Sequence, residues 1–162
     1  MKPPEYYKGR EQTFLKHYFL ETYLKRVAYN IFSFKSEFVY VDGFSGPWRS
    51  RNEDFDDTSF IIAIEQLRRI REGMLTRGKT VSIRCLFIEK DAKRFRLLEK
   101  AVKDVQDFQV VCLHGEFEDR ITDIIDFVGL SFALVFIDPT GWTGYALDKI
   151  SPLLHMRGEI LI

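Results

Sequence analysis

The chain has 162 residues, of which 46% are hydrophobic and 15% aromatic, enough for one domain with a packed core. Its 24 basic residues balance 24 acidic ones, so the overall charge neither indicates nor excludes a nucleic-acid partner. The sequence has no apolar segment as long as a membrane span, and its first residues lack the apolar stretch of a signal peptide. We therefore expect a cytoplasmic protein that does not bind membranes.

Hydrophobic periodicity predicts helices and strands that alternate along the chain. The first helix, over 12–32, carries apolar side chains four residues apart, namely Leu15, Phe19, Tyr23, Val27 and Ile31. Strands that are apolar along their whole length are predicted at 38–42, 83–89, 108–114 and 132–138, with a fifth at 158–162. Further helices are predicted at 59–73, 91–104, 117–129 and 145–156. We expect the first of these to end at Gly73.

Fully apolar strands that alternate with helices indicate a mostly parallel sheet covered on both faces. We therefore predict a three-layer, doubly wound, Rossmann-like α/β fold. Residues 1–36 form an N-terminal helical arm packed on the domain, and residues 37–162 form the Rossmann-like core of what is a single domain overall. We expect a sheet that is truncated at its C-terminal end. The unpaired apolar edge of its fifth strand is available for homodimer formation.

Basic residues are concentrated in two places. Residues 1–36 hold seven basic and three acidic residues, a net charge of +4, and Arg68, Arg69 and Arg71 form a second cluster. A basic arm is typical of a phosphate-rich partner such as RNA or DNA. It is more often a solvated helix face, and both interpretations stay open.

The two cysteines, Cys85 and Cys112, lie within apolar runs and form no C-x-x-C pair. This pattern predicts buried thiols in a reducing compartment. No spacing of His, Cys and Asp is typical of a metal site, so we predict no bound metal.

Each of the first four predicted strands stops at or near a carboxylate, at the edge where doubly wound folds bind ligands. In chain order these segments are Asp42 with Gly43, Ser45 and Gly46, then Glu89 with Lys90, then Glu116, and finally Asp138 with Pro139. A single such carboxylate marks only where the sheet meets water, but four in succession favour a site. A glycine-rich turn lets a ligand approach the backbone. An acid after the second strand can accept hydrogen bonds from ribose hydroxyls, and an acid after the third strand can accept one from an adenine amine.

Two features disfavour a dinucleotide enzyme. The first loop lacks the G-x-G-x-x-G pattern, and Glu89 lies 47 residues after Asp42, compared with about 20 residues in the NAD fingerprint. A carboxylate in place of the glycines that cradle a diphosphate suits a cationic ligand with an amino-acid tail, such as S-adenosylmethionine. An NAD-dependent oxidoreductase is the disfavoured alternative.

The turn Asp138-Pro139-Thr140-Gly141-Trp142 resembles the Asp/Asn-Pro-Pro-aromatic turn of enzymes that methylate exocyclic amines. The resemblance implies that the Asp138-Pro139 turn accepts hydrogen bonds from the target amine, through a side-chain oxygen and a backbone carbonyl. Trp142 would then stack on a base flipped out of its helix. A simple strand-to-helix turn, in which Asp138 caps and Trp142 packs, fits this motif equally well.

Five segments together resemble the three-Cys-motif partner family (TcmP): LKHYFLETYL, VYVDGFSGPW, LFIEKD, LHGEFED and VFIDPTGW. Members of that family look like class I S-adenosylmethionine-dependent methyltransferases and are similar to bacterial ribosomal-RNA adenine-N6 methyltransferases. The resemblance runs from about residue 14 to residue 162. It implies a methyltransferase that acts on a base amine of RNA or DNA, with a three-Cys-motif protein as its partner.

The same resemblance implies which residues hold the cofactor: Lys16, His17, Asp42, Gly43, Ser45, Gly46, Glu89, Lys90 and Glu116. Asp42 and its loop would face the methionine end, Glu89 the ribose and Glu116 the adenine amine. Trp48 replaces a glycine of the family pattern, and Thr140 and Gly141 replace the Pro-aromatic pair of the adenine enzymes. The alternative is therefore a non-catalytic scaffold that keeps the methyltransferase fold as the partner of a three-Cys-motif protein.

Overall fold

The computed structural model of the chain describes residues 3–9, 11–47, 55, 57–139 and 146–162, apart from the side chains of Gln12 and Lys16. A 3-10 helix at Pro4–Tyr7 precedes α1 (Glu11–Phe34), β1 (Glu37–Asp42), α2 (Ser59–Leu75), β2 (Ser82–Glu89), α3 (Ala92–Val102) and β3 (Gln109–His114). A 3-10 helix at Phe117–Arg120 then leads into α4 (Ile121–Val128), β4 (Ala133–Phe136), α5 (Leu147–Ile150), a 3-10 helix at Ser151–His155, and β5 (Gly158–Leu161).

The five described strands form one parallel sheet in the order β3-β2-β1-β4-β5. The chain first adds strands on one side of β1 and then on the other, so the switch point lies between β1 and β4, where doubly wound folds bind ligands. In the register of the sheet, Asp42 at the end of β1 is level with Phe87 of β2 and Phe136 of β4. Among the described strands, β5 pairs only with β4 and forms one edge.

Helices cover both faces of the sheet and create two hydrophobic cores. Alternate residues of β1 point to opposite faces, so Phe38 and Tyr40 join α1, α2 and α3 in one core. Val39 and Val41 join α4, α5 and the neighbouring 3-10 helices in the other. The predicted α/β architecture, a parallel sheet between two helical layers, is confirmed.

Helix α1 differs from its predicted apolar stripe. Residues four apart drift by about 40° around a helix at each step, so Leu15 and Phe19 do not share the face of Val27 and Ile31. Leu15 is 62% exposed and Phe19 52% exposed, whereas the second half of the helix is buried in the core. Leu20 and Leu24, which lie beside this row, are fully buried, so the apolar stripe faces the core except at Leu15 and Phe19. Even this 24-residue helix is not apolar enough for a bilayer span, nor is any other helix in the described ranges.

Helix α2 does not end at Gly73, as predicted, but continues to Leu75. Gly73 lies against α1, because a Cβ built on it would stand 2.5 Å from the Tyr29 hydroxyl oxygen. The missing side chain therefore allows close helix packing instead of terminating the helix. The turn after the helix contains Gly78, whose φ of +74° favours glycine.

Candidate functional site

A cavity opens at the carboxyl edge of the sheet, over β1, β2 and β3. It is lined by Gly43, Phe44, Gly46, Ile88, Glu89, Lys90, Arg94, Gly115, Glu116 and Phe117. Its volume is about 40 Å³, and it is partly open to solvent. Five residues predicted from three separate segments thus lie around one cavity: Gly43, Gly46, Glu89, Lys90 and Glu116.

Asp42 is fully buried beneath the loop and does not line this cavity. One carboxylate oxygen accepts a hydrogen bond from the Phe44 backbone N–H at 3.0 Å, and the other accepts one from the Ser59 hydroxyl at 2.7 Å. Ser59 is the first residue of α2. The buried carboxylate therefore ties the loop after β1 to the start of α2.

Burial raises the pKa of Asp42 to about 6. The hydrogen bonds from Ser59 and Phe44 lower this pKa, because they stabilise the charged form, while the nearby charge of Asp138 raises it. The carboxylate thus has a pKa close to neutral pH at the centre of the strand ends.

The loop after β1 uses its own amides internally. The backbone N–H of Gly43 donates to Phe136 O at 2.9 Å, and that of Ser45 donates to Ile88 O at 2.9 Å. The Phe44 amide already bonds to Asp42, and the Ser45 hydroxyl donates to Asp42 O at 2.8 Å. Three consecutive amides are therefore not available to cradle a diphosphate, which disfavours a dinucleotide ligand.

Glu89 provides a carboxylate at the wall of the cavity, beside the loop. Its side chain is almost fully buried, and its Oε1 accepts a hydrogen bond from the Asp91 backbone N–H at 2.7 Å. Oε2 is directed at Gly46, since a Cβ built on that glycine would lie 1.6 Å from it. The acid is thus fixed through one oxygen, while the other faces the cavity beside the loop.

Glu116 and Lys90 form an ion pair of 3.3 Å at the outer wall of the cavity. Both side chains are more than half exposed, so solvent weakens their attraction and either group can exchange its partner for a ligand. His114, at the end of β3, has its Nε2 3.0 Å from Lys90 O and so helps to hold this corner together.

Asp138 and Pro139 follow β4, next to the end of β1, and are half-buried. Asp138 is close enough to Asp42 and Tyr40 for its charge to raise the pKa of both. Neither Asp138 nor Pro139 lines the cavity over β1, β2 and β3. Trp142, the predicted base-stacking residue, lies outside the described residues, as do Trp48, Thr140 and Gly141.

His17 is buried on α1, with its Nδ1 3.2 Å from the Tyr7 hydroxyl oxygen. It does not line the cavity. Tyr7 belongs to the first 3-10 helix, and the hydroxyl of its neighbour Tyr6 donates to Asp57 at 3.3 Å. The residues before α1 are thus packed against its first turns and against the start of α2. The predicted position of Lys16 beside the pocket concerns a side chain outside the described part of the chain.

Sequence reasoning missed the aromatic walls of the cavity. The Phe44 and Phe117 rings pack with their centroids 5.6 Å apart, and a Cβ built on Gly43 would stand 2.6 Å from the Phe117 ring. Arg94 is also a lining residue. Phe117 directly follows the predicted acid Glu116 in the sequence. This position, one residue after a strand-end carboxylate, could have identified Phe117 as a lining residue.

The two cysteines are remote from this chemistry. Cys85 is buried, and burial raises its pKa well above the usual range for a thiol. Burial likewise raises the pKa of the half-buried Cys112 to about 12. Both are therefore protonated at neutral pH and are poor nucleophiles. The described residues contain no group of three or more His, Cys, Asp or Glu side chains arranged to hold a metal ion.

Comparison of the chain with protein-family models, with curated proteins and with solved structures finds no match. The resemblance to the three-Cys-motif partner family therefore stays a prediction from the quoted segments.

Proposed function

We propose that the chain is an S-adenosylmethionine-dependent methyltransferase of the class I type that acts on an amine of a nucleic-acid base. The observation that carries the proposal is the order of the four acids across the sheet edge. Adjacent strands of the sheet, in the order β3, β2, β1 and β4, carry these acids at or just past their carboxyl ends, namely Glu116, Glu89, Asp42 and Asp138. Neighbouring strands are about 4.8 Å apart, so an elongated ligand above β3, β2 and β1 would end beside Asp138.

The residues around the cavity fit a nucleoside with a cationic amino-acid tail. In the proposal, the Glu89 oxygen that does not bond to Asp91 accepts hydrogen bonds from the ribose hydroxyls. Glu116 exchanges its ion pair with Lys90 for a hydrogen bond from the adenine amine. The Phe44 and Phe117 rings supply apolar walls. Because the amides of the loop are already hydrogen-bonded, a ligand without a diphosphate is favoured over NAD.

The chemistry that this cofactor supplies is an electrophilic methyl group on a sulfonium ion. The protein's contribution is to hold the acceptor nitrogen in line with it. In the proposal, the Asp138 carboxylate and a backbone carbonyl of the Asp138-Pro139 turn accept hydrogen bonds from the target amine. These bonds direct the nitrogen lone pair towards the methyl group, and the buried negative charge of Asp42 favours a cation above the loop.

The small volume of the cavity, about 40 Å³, favours a second candidate function. Drug-sized ligands usually occupy pockets of roughly 300 Å³ or more. A scaffold that keeps the fold and binds a three-Cys-motif protein needs no such volume. The two functions differ in whether Asp138→Ala abolishes methyl transfer from labelled S-adenosylmethionine to nucleic acid while leaving the complex with the partner protein intact.

Calorimetric titration with S-adenosylmethionine, S-adenosylhomocysteine and NAD tests the cofactor directly. We expect the first two to bind in the micromolar range and NAD to bind much more weakly. Glu89→Ala should weaken S-adenosylmethionine binding by about 10- to 100-fold, since it removes hydrogen bonds to a charged group. Glu99→Ala, an exposed acid on α3, is the matched control. Tighter binding of NAD, or no binding by a folded sample, would contradict the proposal.

A further inference from the structure

A second groove lies between α1 and α2, outside the cavity described above. Its volume is about 420 Å³, and its lining residues include Tyr18, Glu21, Lys25 and Tyr29 from α1 and Gln66 and Arg69 from α2. A groove of this volume accommodates a nucleotide-sized ligand. It also brings together the two basic segments of the sequence, because Lys25 belongs to the first and Arg69 to the second.

Gln66 is a buried polar residue on the wall of this groove. The residue is only 4% exposed, and its side chain makes no hydrogen bond among the residues that the structure describes. Buried carboxamides in native proteins are nearly always hydrogen-bonded, because an unpaired one costs free energy. Among the described residues, Tyr40 has the one buried side-chain polar atom without a partner, so the Gln66 amide reaches the solvent of the groove. Its donor and acceptor, which make no other hydrogen bond to described residues, are open to a ligand there.

The cations of the groove are available to an anion. Lys25 is exposed and forms no ion pair with a described residue. Arg69 is 58% exposed and divides its contacts between Glu21 at 3.4 Å and Glu65 at 3.7 Å. Exposed pairs of this kind contribute little and exchange readily, so a phosphate can bind Lys25 and compete for Arg69.

Two aromatic rings complete the lining. Tyr18 is 54% exposed, and its ring is stacked on Phe14 with centroids 6.1 Å apart. Tyr29 lies at the other end of the lining on α1, with the Arg77 guanidinium 5.1 Å from its ring centroid. An exposed ring beside a buried amide and cations is the combination with which proteins bind unpaired nucleotides.

We propose that this α1–α2 groove binds one nucleotide of a single-stranded nucleic acid. The Gln66 carboxamide pairs with a base edge, Lys25 and Arg69 bind flanking phosphates, and Tyr18 stacks on a base. This inference deepens the proposed function and takes its substrate class from it. An acidic peptide would engage the cations but offers no planar ring with a paired donor and acceptor, so the groove favours the nucleic acid.

The test is fluorescence anisotropy with fluorescein-labelled ten-nucleotide strands, oligo(rA), oligo(rU), oligo(rC) and oligo(dA), without S-adenosylmethionine. At least one strand should bind the wild-type protein. Gln66→Met should weaken that binding by about five-fold or more while leaving the melting temperature nearly unchanged, since the amide that it replaces makes no hydrogen bond to a described residue. Lys25→Ala should weaken it by about three- to ten-fold and reduce its salt dependence. Lys100→Ala, an exposed lysine on α3, is the charge-matched control and should stay within about two-fold of the wild type.

Three results would overturn the inference: no strand binds, the Gln66→Met and Lys25→Ala variants bind like Lys100→Ala, or polyglutamate displaces the strand at equal concentration. Binding of a ribonucleotide or a deoxyribonucleotide strand supports the inference. The ratio of the oligo(rA) and oligo(dA) affinities shows whether the groove prefers RNA or DNA. Calorimetry with S-adenosylmethionine on the same samples separates this inference from the proposed function. If the protein binds a strand but not S-adenosylmethionine, nucleic-acid binding by the groove is supported and the methyltransferase proposal is contradicted. If it binds S-adenosylmethionine but no strand, only the proposal for the groove is contradicted.

Discussion

The Glu89 carboxylate lies where a side chain on Gly46 would have to be, since a Cβ built on Gly46 would stand 1.6 Å from Glu89 Oε2. Oε1 of the same carboxylate accepts the hydrogen bond from the Asp91 N–H, so Glu89 cannot turn away without losing that bond. The conformation of the loop after β1 and the position of the Glu89 carboxylate at the end of β2 therefore depend on each other.

Gly46→Ala should displace Glu89 and weaken S-adenosylmethionine binding by about ten-fold or more, because the methyl group takes the place of the carboxylate oxygen. Calorimetry checks the affinity, and thermal melting checks that the variant is folded. Gly78→Ala is the control: it costs about 1 kcal/mol through its positive φ but has no atom within 4 Å of the added Cβ. Equal affinities of Gly46→Ala and the wild type would contradict the inferred position of Glu89.

Asp42→Asn should change how stability depends on pH. The pKa of Asp42 is about 6 in the folded protein and about 3.9 in the unfolded chain. Between these values the native state keeps a proton that the unfolded state releases, so the free energy of unfolding falls as the pH rises. This group alone accounts for a loss of up to about 3 kcal/mol by pH 7.

The amide of Asp42→Asn does not ionise, so the variant should lack this fall and be more stable than the wild type above pH 7. Urea denaturation between pH 4 and pH 8 measures the difference. Asp104→Asn, at a side chain that is 87% exposed, should keep the wild-type slope. A variant that retains the full slope would show that another group causes it.

The Tyr40 hydroxyl is buried and has no hydrogen-bond partner among the described residues. Tyr40→Phe should therefore leave the free energy of unfolding unchanged or raise it by up to about 1 kcal/mol. Tyr7→Phe is the informative comparison, because the Tyr7 hydroxyl pairs with His17 and its loss should cost about 1 kcal/mol. Chemical denaturation compares the two, and a larger loss for Tyr40→Phe would indicate a hydrogen bond formed in solution.

Arg84 connects three elements at the amino edge of the sheet. Its guanidinium pairs with Glu37 at 3.0 Å, donates to Ser131 at 3.0 Å, and donates to the carbonyls of Phe127 and Val128 at the end of α4. Arg84→Ala should lower the free energy of unfolding by about 2 to 4 kcal/mol, because it leaves these groups unpaired. Arg96→Ala, on the exposed face of α3, should cost less than about 0.5 kcal/mol. Similar losses for both would show that the network contributes nothing.

The elements of this fold could be predicted because burial leaves a local pattern. The run FVYVD identified β1, and the amphipathic pattern of 91–104 identified α3. In the structure the Asp91 side chain caps this helix by accepting hydrogen bonds from Lys93 N and Arg94 N. Gly73 was misjudged because a glycine that ends a helix and one that admits a neighbouring helix look the same in sequence. The contact that distinguishes them, with Tyr29, lies 44 residues away.

The sequence by itself determined the parallel sheet between helices and the order of carboxylates at its strand ends, because apolar runs and the acids after them are local features. Only the tertiary structure decided how those acids are used. Asp42 is buried and holds the loop after β1, because its carboxylate accepts a hydrogen bond from Ser59 of α2. Glu89 faces the cavity, because Gly46 has no side chain where the Glu89 carboxylate lies. It also brought Lys25 and Gln66 to one groove, because the packing of two helices depends on contacts that no local pattern encodes.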